Sequence, residues 1–236
     1  MIVSLALMAM SQATPQQWPQ HSMDRPRPAV VNPGPPPSDA IVLFDGKDLS
    51  QWRSDADSSA AKWTVRDGYV EVKPGTGTMA STRGFGDVQL HIEWATPAVA
   101  KGEGQERGNS GVFLMGIYEL QVLDSYQNDT YPDGQAGAVY GQNPPLVNPT
   151  KGPGQWQAYD VIFHRPRFKA DGSLDKPARM TVLLNGVLIQ DNFELVGPTA
   201  NRQQPPYRAH GDKLPLKLQD HGNPMRFRNI WVRNLE

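Results

Sequence analysis

The stretch Tyr118-Glu119-Leu120-Gln121-Val122-Leu123-Asp124 opens on a strict alternation of apolar and polar side chains. A period of two belongs to a β-strand, in which successive side chains point to opposite faces of the sheet. Tyr118, Leu120 and Val122 therefore share one face, and Glu119 and Gln121 share the other. The apolar face needs a second layer to cover it. The polar face is either a wetted surface or the floor of a site.

The same alternation recurs on both sides of this stretch. Leu216-Lys217-Leu218-Gln219-Asp220-His221 sets Leu216, Leu218 and Asp220 against Lys217, Gln219 and His221, and Val88–Trp94 sets Val88, Leu90, Ile92 and Trp94 against Gln89, His91 and Glu93. Other strand-sized segments are Ala40–Phe44, Trp63–Val65, Tyr69–Val72, Val112–Leu114, Ala158–His164, Ala178–Leu184, Val187–Leu188 and Arg226–Val232. Short strands at this spacing predict an all-β chain folded as an antiparallel β-sandwich. Asp67-Gly68 and Asn185-Gly186 each fall between two such segments, where both residues accept the positive φ of a tight hairpin turn. Two stretches, Tyr126 to Gln155 and Phe193 to Lys213, are too rich in turn residues for strands and read as long loops. Loops of that length are either simple surface excursions or walls of a site.

Composition narrows the partners. The 236 residues carry 23 basic and 24 acidic side chains, so no net field draws the chain to nucleic acid or to an anionic membrane. Cysteine is absent, which removes disulfides, thiolate catalysis and Cys-based metal sites. Glycine and proline number 22 each, in keeping with a turn-rich fold. The apolar run Met1–Met10, followed by Ser11-Gln12-Ala13, reads as a signal peptide over residues 1–13, although no Lys or Arg precedes it; a buried segment is the alternative. It is too short to span a bilayer, so no membrane insertion of the mature domain is expected. Eight prolines between Pro15 and Pro37 make residues 14–39 a linker. The expected location is exported, and nothing in the pattern specifies an oligomer.

If the three alternating strands share a sheet, Glu93, Glu119, Gln121, Gln219 and His221 line one face. Small residues at Arg107-Gly108-Asn109-Ser110-Gly111 let backbone or ligand approach closely, and Tyr118, Tyr126, Tyr140 and Trp156 suit stacking on sugar rings. Taken singly, each polar face more often meets water than a substrate.

These residues together resemble the 3-keto-disaccharide hydrolase family. The likeness is carried by Leu43-Phe44-Asp45-Gly46-Lys47 with Leu49 and Trp52, by Trp63-Thr64-Val65 with Asp67-Gly68, and by Phe85-Gly86-Asp87 before His91-Ile92-Glu93-Trp94. It continues through Gly108–Val112, Tyr118–Asp124, Gly137-Ala138-Val139-Tyr140 and Asn185-Gly186, and ends on Leu218–Gly222 running into Phe227-Arg228-Asn229-Ile230. The order of these pieces makes the match specific, and it covers almost all of residues 40–236. The proline-heavy segment after Gln142 departs from the pattern.

The resemblance implies a concanavalin-like jelly roll over residues 40–236, acting on a carbohydrate whose glycone carries a ketone at C3. That ketone acidifies the C2 hydrogen, so a base can remove it and the C1 substituent leaves by β-elimination, with water adding afterwards. Such a route needs a base, an oxyanion stabiliser and an acid for the leaving group. Sandwich glycosidases of the laminarinase type resemble Glu-x-Asp-x-Glu on one strand, whereas here the register reads Glu119-Leu120-Gln121-Val122-Leu123, with one carboxylate.

On this reading Glu119 or His221 is the base, and Gln121, Gln219 and Asn109 orient hydroxyls or the enolate oxygen. Glu93, Asp124, Tyr140, Trp156 and Lys217 complete the binding set, and Arg83 is a weaker anion stabiliser. No cofactor is specified. A divalent metal on Glu119, Asp124 and His221 stays open, as does calcium at Asp45 and Asp48, where turn formation is the favoured reading. Two other functions fit the same fold: a non-catalytic carbohydrate-binding module, and a conventional glycoside hydrolase completed by Glu93 or Asp124.

Overall fold

The computed structural model describes residues 20–235. The signal-peptide reading and the start of the linker lie outside the described residues. From residue 20 to 40 the chain forms turns and bends but no helix or strand, and the Asp39 carboxylate then closes on Arg233 at 2.7 Å. No helix among the described residues is long and apolar enough to cross a membrane.

The strands are β1 (Ile41–Phe44), β2 (Trp52–Ser54), β3 (Thr64–Arg66), β4 (Tyr69–Glu71), β5 (Met79–Phe85), β6 (Val88–Ala95), β7 (Ser110–Leu114) and β8 (Tyr118–Val122). They continue with β9 (Gln157–His164), β10 (Arg167–Phe168), β11 (Leu174–Lys176), β12 (Arg179–Leu184), β13 (Val187–Glu194), β14 (Leu214–Leu218) and β15 (Arg226–Asn234). One sheet runs β13-β12-β9-β6-β15-β4-β3, with β1 also on β15. The other runs β2-β5-β14-β7-β8, and β10 and β11 form a separate hairpin. All pairings are antiparallel. The architecture is the expected β-sandwich jelly roll.

Alternation explains how the layers meet. Val88, Leu90, Ile92 and Trp94 of β6 and Tyr159, Val161 and Phe163 of β9 point inward, where they meet Val112 and Leu114 of β7, Tyr118, Leu120 and Val122 of β8, and Leu216 and Leu218 of β14. Large rings fill the space between: Trp94 packs on Tyr159 at 5.3 Å between centroids, and Tyr118 on Phe163 at 5.6 Å. Both expected hairpin turns are present, with Asp67, Gly68, Asn185 and Gly186 all at positive φ. The strands β2, β5, β10 and β11 escaped the sequence reading. Ser81-Thr82-Arg83-Gly84 within β5 is small and polar, and the strand is set by its neighbours: Gly84 lies so near the backbone of Lys213 that a Cβ would approach it to 2.9 Å.

Strand β8 ends the smaller sheet, and an open edge would invite foreign pairing. The Tyr126–Gln155 loop covers it: the Gln121 N–H donates to the Ala138 carbonyl at 3.0 Å, Gly137 N–H to the Gln121 carbonyl at 2.9 Å, and Tyr140 N–H to the Glu119 carbonyl at 3.2 Å. One bond crosses the core. Tyr159, fully buried on β9, donates its hydroxyl to the Gln121 carbonyl at 2.7 Å, tying the larger sheet to the strand that carries the polar pair. Tyr159→Phe removes that tie but leaves the carbonyl its Gly137 partner. It should lower stability by about 1 kcal/mol in urea unfolding; an unchanged midpoint would deny the cross-sheet bond a role.

Candidate active site

Glu119 and Gln121 occupy the face of β8 turned away from the core, yet they are 7% and 1% exposed. The strand is therefore buried on both sides. Across the ladder, Phe113 stands opposite Glu119 and Gly111 opposite Gln121, while Gln219 follows Lys217 and Leu218 of β14 on the far side of β7. Gly111 is required by what lies over it. A Cβ there would overlap Glu119 Oε1 and come within 2.7 Å of the Phe113 ring, because the carboxyl and the ring edge converge above this backbone.

The two long loops wall this floor. Tyr131, Asp133, Tyr140 and Gly141 come from the first, and Thr199 to Gln204 from the second; with Gln105, Asn109 and His221 they enclose a cavity of about 940 Å³. That is at the upper end of small-molecule sites and ample for two sugar rings. The walls are hydrogen-bonded into place. Tyr131 and Tyr140 share a bond between hydroxyls at 2.8 Å, the Glu119 N–H donates to Thr199 Oγ1 at 2.9 Å, and Asn109 Nδ2 donates to the Gln105 carbonyl at 2.7 Å. Gln121 Nε2 in turn donates to Gln105 Oε1 at 3.0 Å. Gln219, also part of the cavity lining, keeps its Oε1 buried with no hydrogen-bond partner.

Charge is scarce at the bottom. No Lys, Arg or His among the described residues pairs with Glu119, and burial alone pushes its carboxyl up to about 8. A buried carboxyl without a countercharge keeps its proton because the ionised form has lost its water. Near neutral pH Glu119 is therefore mostly a neutral acid.

Six sequence-predicted residues meet in this cavity: Glu119, Gln121, Asn109, Gln219, His221 and Tyr140. Four do not. Glu93 lies on β6, in the other sheet, and faces outward into hydrogen bonds with Arg228 at 2.7 Å and Asn229. Burial acts to raise its pKa, but those bonds outweigh it and hold the carboxyl below the usual range. Alternation gave its face correctly but not its sheet. Trp156 belongs to the same outer surface, with the Arg228 guanidinium 4.1 Å from its ring centroid and Tyr69 at 5.9 Å. Asp124 is buried against Arg107 at 2.8 Å and caps the Tyr126 N–H. Lys217 shares the face of Gln219 but reaches Asp55 at 2.9 Å instead of lining the cavity.

Other expectations are corrected as well. Tyr118 turns its ring into the core, its hydroxyl meeting His210 Nε2 at 2.9 Å, and neither Tyr126 nor Arg83 lines the cavity. With Asp124 locked on Arg107, the Glu119, Asp124 and His221 metal set is not assembled; among the described residues no three His, Cys, Asp or Glu side chains could hold an ion. Asp45 accepts from the Lys47 N–H and Asp48 from the Ser50 N–H, as turn-formers do. Sequence reasoning missed Gln105, Phe113, Tyr131, Asp133, Thr199 and Arg202. Phe113 had left a signal, since it shares parity with Gly111 on β7, and Tyr131, Asp133, Thr199 and Arg202 fall in the two stretches read as possible walls without being singled out.

A deep polar floor between aromatic walls is what a sugar site needs, and comparison with known proteins supports a carbohydrate-active enzyme. Residues 39–233 match the 3-keto-alpha-glucoside-1,2-lyase-like domain, and the chain belongs to that family. It is 26% identical over 243 residues to the 3-keto-disaccharide hydrolase of Bacteroides thetaiotaomicron, an alignment covering 83% of this chain and 78% of the relative. A crystal structure of a candidate glycosyl hydrolase from Parabacteroides distasonis superposes with a TM-score of 0.87 at 46% identity, covering 91% of this chain and 95% of that one. A second from the same organism, at 20% identity and a TM-score of 0.62, covers 84% and 94% and shares the fold.

The raised carboxyl has a stability signature. Glu119 binds its proton more tightly folded than unfolded, so its contribution is complete below about pH 4.5 and is lost as the pH rises to about 8. In that window wild-type stability should fall relative to Glu119→Gln by up to about 1.4 kcal/mol per pH unit. Urea unfolding of both proteins across the range measures this, and parallel curves would mean that Glu119 is ionised in the fold.

Proposed function

We propose that this protein cleaves glycosides whose glycone carries a ketone at C3, by proton removal at C2 and β-elimination, with water adding back to give net hydrolysis. The observation that carries the reading is that a protonated, buried carboxyl and an exposed imidazole, Glu119 and His221, line one sugar-sized cavity. His221, at the open rim, takes the C2 proton. The electron pair of that C–H bond forms the C1–C2 double bond, conjugated with the C3 carbonyl, as the C1–O bond breaks. Glu119, holding its proton in the floor, delivers it to the departing oxygen, so that the alcohol leaves neutral. Gln219, Gln121 and Asn109 hold ring hydroxyls or the C3 oxygen in place, and Phe113 offers an apolar surface to a sugar face.

The family and the curated relative's name support a 3-keto substrate; the single carboxyl on β8 supports elimination over a carboxylate pair. Asp133 is the other carboxyl in the cavity wall, which sharpens the test. With a 3-keto-glucoside, Glu119→Gln and His221→Ala should each lower kcat/KM by about 10²- to 10⁴-fold, while Asp133→Asn keeps it within about tenfold. The unoxidised disaccharide should yield no product. Should Asp133→Asn fail as badly as Glu119→Gln, with the unoxidised sugar cleaved, the site works as a paired-carboxylate glycosidase. Sugar binding without products under any condition would make the domain a binding module. The proposal also includes export by residues 1–13: the mature protein, recovered from outside the cytoplasm, should begin near Thr14 by mass spectrometry, and an intact Met1 there would argue against cleavage.

A further inference from the structure

The order of the strands gives the cavity a direction. Across the smaller sheet β14 is followed by β7 and then by β8 at the edge. His221 lies just past the end of β14, and the Gln219 N–H, donating to the Gly111 carbonyl at 3.0 Å, keeps that chain end on the side of β7 away from β8. Glu119 stands on β8 itself. Past β8 the site continues into the loops: the Tyr140 N–H donates to the Glu119 carbonyl at 3.2 Å, and the Glu119 N–H to Thr199 Oγ1 at 2.9 Å. The direction from His221 to Glu119 thus crosses two strand spacings, roughly 10 Å, toward the loop wall. In the proposed reaction His221 acts at C2 and Glu119 at the oxygen on C1. A glycoside laid along this direction has its glycone over β14 and β7 and its leaving group past β8, against the loops.

Tyr131 stands on that side. Its ring is 44% exposed, yet it is not loose. A Cβ on Gly134 would overlap Tyr131 Cε2 and come within 2.6 Å of Cδ2 and 2.8 Å of Gln105 Nε2. Gly134 is not at positive φ, so its backbone would accept alanine; the tyrosine ring is what excludes a side chain. Gln105 Nε2 donates to the Gly134 carbonyl at 2.9 Å and holds this seat in place. At the other end the Tyr131 hydroxyl is bonded to that of Tyr140 at 2.8 Å, and Tyr140 donates to Asn201 Oδ1 of the second loop at 3.4 Å. A ring pinned along one edge and at its hydroxyl, with the rest of its surface open to the cavity, can stack on a ligand at little cost in freedom.

We propose that Tyr131, seated on Gly134, is the stacking platform for the leaving group, and that the preferred leaving groups carry a ring with a flat apolar face. The assignment to the leaving-group side rests on the roles given to His221 and Glu119; the stacking itself does not.

The experiment compares methyl 3-keto-glucoside with a 3-keto-glucoside whose leaving group is glucose, each referred to its own wild-type rate. Tyr131→Ala should lower kcat/KM about tenfold more for the glucose-bearing substrate than for the methyl one, mainly through KM. Gly134→Ala should act in the same direction, because the added methyl group displaces the ring. Tyr131→Phe keeps the ring and should stay within about threefold of wild type on both substrates. Equal losses on the two substrates, or a Tyr131→Phe protein as impaired as Tyr131→Ala, would overturn the proposal. Calorimetry with the unoxidised disaccharide reads the platform without chemistry: Tyr131→Ala should weaken its binding about tenfold. Binding that is absent from the wild type, or unaffected by the variant, would also overturn it. If that binding loss is seen while the wild type cleaves neither 3-keto-glucoside, Tyr131 keeps its stacking role, and the leaving-group assignment falls together with the roles of His221 and Glu119.

Discussion

The molecule is organised around a carboxyl kept out of water with no cation among the described residues paired to it. Glu119 is on a strand whose inward face, Tyr118, Leu120 and Val122, must enter the core, so alternation leaves its side chain nowhere to go but the opposite face. That face is then roofed by loops until little solvent remains. Each feature nearby follows from accommodating this group. Gly111 has no side chain because the carboxyl lies over it, the edge of β8 is closed by Gly137 to Tyr140, and Tyr159 reaches across the core to fix the same strand. A carboxyl buried this way subtracts from stability wherever it ionises, because the charged form has lost its water.

The contrast with Glu93 shows that surroundings, not sequence pattern, decide what a carboxyl becomes. Both residues sit mid-strand between apolar neighbours, and burial acts on both in the same direction. Glu93 receives Arg228 and Asn229 and is fixed as an anion on the outer surface. Glu119 has no cation among the described residues paired with it, and burial keeps it neutral. Desolvation sets the direction of a shift, and hydrogen-bond donors decide whether it is reversed.

This is also where reading the residues in order reaches its limit. Alternation was enough to place the polar faces of β8 and β14, because a period of two is a local property, and Glu119, Gln121 and Gln219 were legible for that reason. Which sheet a strand joins is a property of the whole topology, so Glu93 and Trp156 were assigned to the wrong surface, although the parity of β6 was right. Asp124 and Lys217 were lost to partners distant in sequence, Arg107 and Asp55. Gln105 was not found and Arg202 was covered only by its loop, since neither has a period or a motif that says where a closed loop will bring its side chain.

A floor made of strands and walls made of loops divides the work of the site. The groups assigned to the chemistry in the proposed reading, Glu119 and Gln121, belong to a strand hydrogen-bonded along both edges and packed on both faces. The groups that wall the cavity, Tyr131, Tyr140 and the Thr199 to Gln204 segment, belong to loops whose length can vary without disturbing the sandwich. The proline-rich stretch after Gln142 falls in one of those loops and lies outside both the floor and the cavity lining, so variation there leaves the strands that carry Glu119 and Gln121 undisturbed.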